Sequence, residues 1–187
     1  MTVKQDNKFL GFLSIEESQE DNLYIGCLLI TDLHGVPQEF RCTHPVKPTS
    51  MQKPLYGKSL VPHIGIELCG VPLLSAVEHK ISCLFVNSDY LTELRHHTDI
   101  PLLFVKRSGE TLETKQDGEH KKEKRKIESN TGKFQPISTL ANEQYKDDYE
   151  KIMDILGDSL NNLDIIEPFN RIEKTVEVLT TQDDRFK

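Results

Sequence analysis

The stretch "KISCLFVNSDYLTELRHHTDIPLLFVKR", residues 80–107, decides the fold class of this chain. It places two short apolar runs, 80–87 and 100–107, on either side of a segment with helical spacing, which the pattern predicts to begin with Ser88 as its N-cap. Two buried strands flanking a helix form a βαβ unit, whose strands are parallel and whose crossover is right-handed. The stretch therefore predicts an α/β protein.

The residues before this unit predict antiparallel strands. "KFLGFLSIE" (8–16) is a first strand, and "NLYIGCLLITD" (22–32) is a second strand that is apolar nearly throughout, as expected for a strand covered on both faces. Alternation resumes after a turn at Gly35, so residues 22–44 are predicted to form a hairpin. The predicted fold class is α/β (mixed α+β), with the hairpin and the βαβ unit in one mixed sheet.

Five prolines, at positions 45, 48, 54, 62 and 72, interrupt the segment between the hairpin and the βαβ unit. Because proline has no amide hydrogen, these residues predict short helical pieces instead of one long helix. The first piece is capped by Thr49 or Ser50 and ends at Gly57, and further pieces begin near Ser59 and Pro72.

Composition divides the chain into three parts. Residues 1–107 are predicted to be the mixed α/β domain. Residues 108–132 are predicted to be a flexible charged linker, because almost no large apolar side chain is present to offset the entropy of ordering. Residues 133–187 are predicted to be an acidic helical segment. Its last helix carries one apolar stripe, formed by Phe169, Ile172, Val176 and Leu179. The stripe packs either on the domain or on a partner chain.

Charge is unevenly distributed along the chain. The net charge is −7, and residues 141–187 hold twelve acids against six bases. This balance disfavours nucleic-acid binding through a broad basic face, although the basic cluster at 120–126 leaves a local contact open. No apolar run approaches the roughly 18 residues that span a membrane, and the start of the chain lacks the apolar core of a signal peptide. We therefore predict a cytoplasmic protein without membrane contact.

Standard reaction motifs are missing from the sequence. None of the patterns GxGxxG, GxxxxGK[ST], GxSxG and HExxH occurs, so no catalytic residue, cofactor or metal is predicted. Cys42 and His44 lie two apart and share one face of a strand, but nothing in the spacing brings His34, His63 or Cys69 to them. We therefore interpret the cysteines as free thiols.

A weak anion site is predicted after the strands of the βαβ unit. Asn87 and Ser88 follow the first strand, beside the free amides of the next helix, and Lys106 and Arg107 end the second strand. Ligands bind beyond the carboxyl ends of parallel strands, against helix N-termini. These four residues would bind a small anion there.

A partner surface is predicted in "EFRCTHPVKPTSMQKPLYGKSL", residues 39–60. Lys47 and Lys53 make this stretch locally basic, and Met51 and Tyr56 are residue types favoured at binding surfaces. The competing interpretation is a crossover that only closes the fold.

The chain resembles small bacterial proteins with no established activity. The resemblance rests on "EFRCTHPVKPTSMQKPLYGKSLVPHI", "LFVNSDYLTELR" and "DIIEPFNRIEK" and covers most of the chain apart from the linker. It implies a bacterial cytoplasmic source and brings no catalytic residue or cofactor.

Two functions follow from these patterns. The leading prediction is a non-catalytic accessory or adaptor subunit of a larger bacterial assembly, not an enzyme, with another protein chain as its partner. The alternative is an enzyme or binding protein acting on a nucleotide or nucleic acid. Such an enzyme would draw on the carboxylates Asp32 and Glu39, as a metal-dependent nuclease does, or on the crevice at Asn87. The alternative therefore expects Asp32, Glu39, Asn87 and Lys106 to gather in one pocket.

Overall fold

The residues that the structure describes form seven strands in one mixed sheet. The structure is a computed structural model that describes residues 8–18, 22–108, 124–128 and 132–186. The strands are β1 (Phe9–Ser18), β2 (Leu23–Thr31), β3 (Pro37–Cys42), β4 (Ile81–Val86), β5 (Leu102–Arg107), β6 (Lys124–Ile127) and β7 (Ile137–Leu140). Their order across the sheet is β3-β2-β1-β4-β5-β7-β6. The main helices are α1 (Gln52–Ala76), α2 (Asp89–His96), α3 (Asp148–Leu156) and α4 (Glu167–Gln182). Short 3-10 turns occupy Glu143–Tyr145, Gly157–Asn161 and Asp184–Phe186.

The two local units predicted from the sequence are both present. β2 pairs with β3 in an antiparallel hairpin, and β4 pairs with β5 in parallel across α2. β1 joins them, because it is antiparallel to β2 and parallel to β4. The mixed α/β sheet is therefore confirmed. The crossover α2 is a 3-10 helix. Ser88 is its N-cap residue, as predicted, but the Ser88 side chain makes no capping hydrogen bond.

Helices cover both faces of the sheet. α3 and α4 cover one face, where Phe12 packs edge-on against Phe169 with ring centroids 5.7 Å apart. α1 and α2 cover the other face, where Leu73 and Leu91 join the core. All nine residues of β2 are buried as a result, which explains why its sequence is apolar nearly throughout.

α1 is one helical segment assembled from several pieces. An α-turn, Gln52–Tyr56, leads through a 3-10 turn and a second α-turn into a π-helical stretch, Ile64–Gly70, and a last α-turn, Val71–Ala76. Thr49 and Gln52 cap its start reciprocally, because each side chain accepts from the backbone amide of the other residue, at 3.2 and 2.8 Å. The predicted first helix and its end at Gly57 are thus present, since the positive φ of Gly57 interrupts the helical conformation, and the later pieces follow directly.

Close packing of α1 on the sheet depends on glycine. A Cβ atom on Gly26 of β2 would lie 2.5 Å from the Cβ of Cys69, so only glycine admits α1 at this distance. Of the helices described, α1 alone has the length and composition to cross a bilayer. Its residues Ile64, Cys69 and Leu73 are buried within the domain.

The predicted linker and helical segment both contribute strands. Lys124–Ile127, assigned to the 108–132 linker, forms edge strand β6. It pairs with β7 from the 133–187 segment, and β7 pairs with β5. Charged side chains suit an edge strand because they discourage pairing with other chains. The predicted domain boundary at residue 107 was therefore wrong for these two strands. Residues 109–123 and 129–131, which include most of the basic cluster at 120–126, lie outside the described residues.

The apolar stripe of α4 packs on the sheet. The exposed fractions of Phe169, Ile172 and Val176 are 7%, 0% and 8%, and Leu179 is half-buried against the same cluster. These side chains fill the space over β1 and β2. The stripe is therefore not a free surface for another chain, and of the two predicted arrangements the structure shows packing on the domain.

Candidate nucleic-acid interface

The candidate site lies at the carboxyl edge of the sheet, where the parallel strands β1, β4 and β5 end. Leu13 of β1 is paired with Val86, the last residue of β4. β1 therefore continues for five residues, Ser14–Ser18, past the end of its neighbour. In open α/β sheets, crevices for ligands form at this edge. We call this region the carboxyl edge.

The extension of β1 carries two carboxylates on opposite faces. Ser14 donates a hydrogen bond to Glu16 at 2.7 Å, and Tyr24 donates one to Glu17 at 3.0 Å. Successive strand residues alternate between faces, so Glu16 points toward α4 and Glu17 toward α1. Burial raises the pKa of Glu16, the Ser14 hydrogen bond opposes this, and the nearby Glu173 adds to the increase. Glu16 consequently binds a proton more readily than an ordinary glutamate.

An acidic cleft borders Glu16 on the α4 side. Its volume is about 530 Å³. The lining includes four glutamates and an apolar floor: Glu16, Glu17, Glu173, Glu177, Leu23, Ile25, Val176 and Phe186, with Ser18 and Thr180. The negative charge of this cleft repels anions such as phosphate groups.

Tyr90 marks the α1 side of the carboxyl edge. Its ring packs on Gly65, where a Cβ atom would lie 2.7 Å from the Tyr90 Cε2 atom. Burial raises the pKa of the Tyr90 hydroxyl, so this group stays protonated and can act as a hydrogen-bond donor at neutral pH. Tyr90, Tyr24 and Glu16 were not predicted as site residues, because in the sequence they are indistinguishable from ordinary strand and helix positions.

Exposed cationic and apolar side chains lie beside this edge, and we call them the basic surface: Lys47, Met51, Lys53, Leu55 and Lys58. A bridge between Tyr24 and Val46 holds the start of this surface at the edge, with backbone hydrogen bonds of 2.8 and 2.9 Å. Within residues 8–18, 22–108, 124–128 and 132–186, the ammonium groups of the three lysines make no ion pair or hydrogen bond. Met51 and Leu55 are each 79% exposed.

An aromatic pair borders the basic surface. The rings of Tyr56 and His63 stack with centroids 5.0 Å apart, and Tyr56 also packs against the cluster formed by Tyr24, Leu60 and Ile64. The predicted partner residues Lys47, Met51, Lys53 and Tyr56 thus belong to one segment, which begins at the carboxyl edge. Stacked and cationic side chains at an exposed edge are typical of surfaces that contact nucleic acids.

The predicted anion site does not form as one cluster. Asn87, Ser88, Lys106 and Arg107 all lie at the carboxyl edge, because β4 and β5 are parallel. Strand alternation nevertheless sends Lys106 and Arg107 to opposite faces, and the Arg107 guanidinium pairs with Asp164 at 3.4 Å. The two cations therefore cannot bind one small anion together.

The single pocket expected for the alternative function is also absent. Asp32 follows β2 and Glu39 lies in β3, so both are at the amino edge of the parallel strands, opposite Asn87 and Lys106. Asp32 closes a turn by accepting from the amides of residues 34 and 36 at 2.8 and 3.0 Å. Glu39 accepts from the amides of residues 78 and 79, each at 3.1 Å or slightly longer. Both carboxylates have structural roles.

Cys42, His44 and Cys69, which the sequence offered as possible metal ligands, do not form a metal site in the described part of the chain. Burial raises the pKa of Cys42 and Cys69, which lowers their thiolate fraction. His44 stacks on Phe186, with ring centroids 6.2 Å apart. Among the residues that the structure describes, no three or more His, Cys, Asp or Glu side chains are placed to hold a metal ion.

Solved structures with the same fold provide the functional comparison. An endonuclease V from Bacillus subtilis is 12% identical with a TM-score of 0.58, over 95% of this chain and 83% of the other. A Ciona intestinalis endonuclease V variant in complex with a 23mer DNA containing an inosine followed by a ribo-adenosine is 14% identical, with a TM-score of 0.54 over 92% and 87%. A second Ciona intestinalis complex, with a 24mer of this kind, is 13% identical, with a TM-score of 0.53 over 92% and 88%.

This likeness establishes the fold. No family model and no curated protein matches the sequence. The similar structures are of endonuclease V, and this overturns the prediction of a non-catalytic accessory subunit that is not an enzyme. The expected protein partner also lacks support. The alternative, an enzyme or binding protein acting on nucleic acid, agrees with the comparison.

Proposed function

We propose that this protein acts on nucleic acid, which it binds at the carboxyl edge through the basic surface. The observation that carries the proposal is the fold, which matches endonuclease V structures over 92–95% of the chain, two of them in complex with DNA. The position of the basic surface supports it independently, since unpaired lysines and a stacked aromatic pair lie at the edge where this type of sheet binds ligands.

The chemistry of the basic surface suits a polyanion with exposed bases. Lys47, Lys53 and Lys58 offer ammonium groups to phosphates and release counterions on binding. Tyr56 and the exposed Leu55 offer surfaces for bases, because stacking needs no particular base. With a net charge of −7 over the whole chain, binding must be local to this surface. We place the protein in the cytoplasm, where it would encounter DNA or RNA without a membrane.

The likeness to a nuclease favours phosphodiester hydrolysis as the reaction. Nucleases commonly use metal ions that clustered carboxylates hold in place. The described part of the chain does not fit this requirement, because its metal-ligand side chains form no group of three or more. We therefore derive no metal-dependent step, and cleavage has to be measured directly.

The binding proposal is tested with labelled oligonucleotides. The probes are single-stranded DNA, single-stranded RNA, ordinary duplex DNA and duplex DNA containing one inosine, each titrated over a range of salt concentrations. The double variant Lys53→Ala/Lys58→Ala should weaken binding and reduce the slope of log K against log salt by about 1 for each phosphate that the variant no longer neutralises. Lys80→Ala is the matched control, since it removes an exposed lysine at the start of β4, on the opposite edge.

Cleavage of the same probes is followed on denaturing gels with Mg²⁺, with Mn²⁺ and with chelator. Product formation that Lys53→Ala/Lys58→Ala slows and Lys80→Ala does not would establish hydrolysis at the proposed interface. Absence of binding to all four probes at low salt would overturn the proposed function. Binding that both variants weaken equally would refute the assigned interface.

A further inference from the structure

Two cysteines face each other across the β2–β3 hairpin. Cys27 of β2 is the register partner of Cys42 of β3. The amide of Thr43 donates to the carbonyl of Gly26 at 2.9 Å, and the amide of Gly26 donates to the Thr43 hydroxyl at 3.0 Å, so Gly26 and Thr43 occupy a hydrogen-bonded position of the ladder. Because such pairs alternate along an antiparallel ladder, Cys27 and Cys42 occupy a non-hydrogen-bonded pair, with Cα atoms about 4.5 Å apart.

This geometry suits a disulfide bond. Disulfides join residues whose Cα atoms are roughly 4.4–6.8 Å apart. Opposite residues of an antiparallel pair point to the same face, and both thiols belong to the core beneath α4. Both are free cysteines in this structure. The expected Cα spacing of the pair therefore falls within the range that a disulfide requires.

The other two cysteines are placed differently. Cys69 lies on α1, on the other face of the sheet, where its sulfur is 3.9 Å from the Thr43 hydroxyl. Cys83 lies in β4, and β1 separates it from β2. Of the four cysteines, only Cys27 and Cys42 therefore lie directly opposite each other on neighbouring strands.

We propose that Cys27 and Cys42 are a reversible oxidation site, which a hydroperoxide converts into a disulfide between β2 and β3. Cys42 reacts first, because it is partly exposed on the edge strand whereas the exposed fraction of Cys27 is 0%. This proposal does not depend on the proposed function.

The reaction proceeds in two balanced steps. The Cys42 sulfur attacks one peroxide oxygen, the O–O bond breaks, and the thiol proton leaves with the other oxygen as water or alcohol, so Cys42 becomes a sulfenic acid. The Cys27 sulfur then attacks the Cys42 sulfur, the S–O bond breaks, and water leaves with the Cys27 proton. One peroxide is reduced and two thiols are oxidised, and an excess of small thiol reverses the reaction.

Protonation sets the rate of these steps. Burial raises the pKa of Cys27, with smaller contributions from Cys42 and from Glu16, so its thiol is protonated at neutral pH. Burial also raises the pKa of Cys42; the positive charge of Arg185 acts against this, and the negative charge of Asp183 adds to the increase. The thiolate is the reactive form, so disulfide formation should accelerate as pH rises above neutrality.

The test uses the full chain, reduced and freed of reductant. It is treated with hydrogen peroxide, blocked with an alkylating agent, and digested for mass spectrometry. The expected product is lighter by two hydrogen atoms, retains two alkylatable thiols, and contains one linked peptide pair that joins Cys27 to Cys42. Small thiols should restore all four free cysteines, and the oxidised protein should unfold at a higher Tm than the reduced protein.

Variants separate this site from general thiol oxidation. Cys42→Ser should abolish the link, whereas Cys69→Ala, the control, should leave it intact. A link through Cys69 or Cys83 would overturn the proposal. Accumulation of sulfinic acid on Cys42 without any disulfide would also overturn the proposal. This measurement needs no variant, because it is made on the chain without substitutions.

Discussion

At the scale of single residues, a buried ion pair ties α3 to the βαβ unit. The Arg95 guanidinium donates to the Asp148 carboxylate at 2.7 and 3.4 Å, and the exposed fraction of the Asp148 side chain is 0%. The same carboxylate accepts from the Leu102 amide at 3.0 Å. The Arg95 guanidinium also lies 4.0 Å from the ring centroid of Tyr145. Removing one partner would leave the other charge buried without compensation.

Asp148→Ala should therefore destabilise the protein by about 3–5 kcal/mol. The neighbouring Asp147→Ala is the control, because that side chain is 67% exposed and its removal should change stability little. Urea denaturation followed by circular dichroism measures both. Equal stabilities of the two variants would contradict the assigned role of Asp148.

Glu39 gives stability a dependence on pH. Burial acts to raise its pKa, but hydrogen bonds from His79, from Arg41 and from the amides of residues 78 and 79 outweigh this and lower the pKa to about 2, from an ordinary value of 4.5. The ionised form is thus favoured in the folded protein. The stability it contributes is fully present above pH 4.5 and is lost as pH falls from there through about 2.

Glu39→Gln should remove that part of the pH dependence. Free energies of unfolding from urea titrations between about pH 6 and pH 2 should fall less steeply for the variant than for the unchanged protein. Because the pairing joins β3 to the segment before β4, the variant should already be less stable at the upper end of this range. Parallel curves for the two proteins would show that Glu39 has no such linkage.

At the scale of elements, α4 completes the core on one face of the sheet. Its inward positions are buried over β1 and β2, while Val178 on its outer side is 50% exposed. A large buried aliphatic side chain replaced by alanine loses both transfer free energy and packing. The helix should therefore be sensitive at its inner positions and tolerant at its outer ones.

Ile172→Ala should cost about 2–5 kcal/mol of stability, because the side chain is fully buried and a cavity would remain. Val178→Ala, on the same helix, should change stability far less. Thermal and urea unfolding of both variants test this. A small effect at Ile172 would mean that α4 is not part of the cooperative core.

At the scale of the whole molecule, the sheet continues through the last third of the chain. β7 pairs with β5, β6 pairs with β7, and α3 and α4 cover one sheet face. A fold of this kind supports many functions, so the site and not the sheet must decide the activity. The order of the strands determines which side chains share the carboxyl edge.

Truncation after residue 107 should therefore abolish cooperative folding. The fragment 1–107 would expose the apolar face over which α3 and α4 pack, and should aggregate or unfold without a sharp transition. The measurement compares circular dichroism melting and size-exclusion behaviour with those of the full chain. A monomeric fragment with a sharp transition would show that the C-terminal elements are an accessory layer.

The sequence by itself determined the local units of this protein. The alternation that forms the β2–β3 hairpin, the apolar run of β2 and the βαβ unit around α2 are all signals within short windows, where hydrophobic period follows secondary structure directly. The sequence also supplied four candidate partner residues, Lys47, Met51, Lys53 and Tyr56, which lie within ten positions of one another. That they bind a partner stays a prediction.

Only the tertiary structure decided how these units combine. The charged stretch Lys124–Ile127 becomes a strand because β7 offers it backbone partners, which its composition does not show. Asp32 lies far from Asn87 because it follows β2, which runs opposite to β4, and Glu39 lies far from Asn87 because it is in the first half of β3, which runs in the same direction as β4. Lys106 and Arg107 separate because strand residues alternate between faces. Strand order and direction are non-local properties, so the carboxyl edge could be located only once the sheet was assembled.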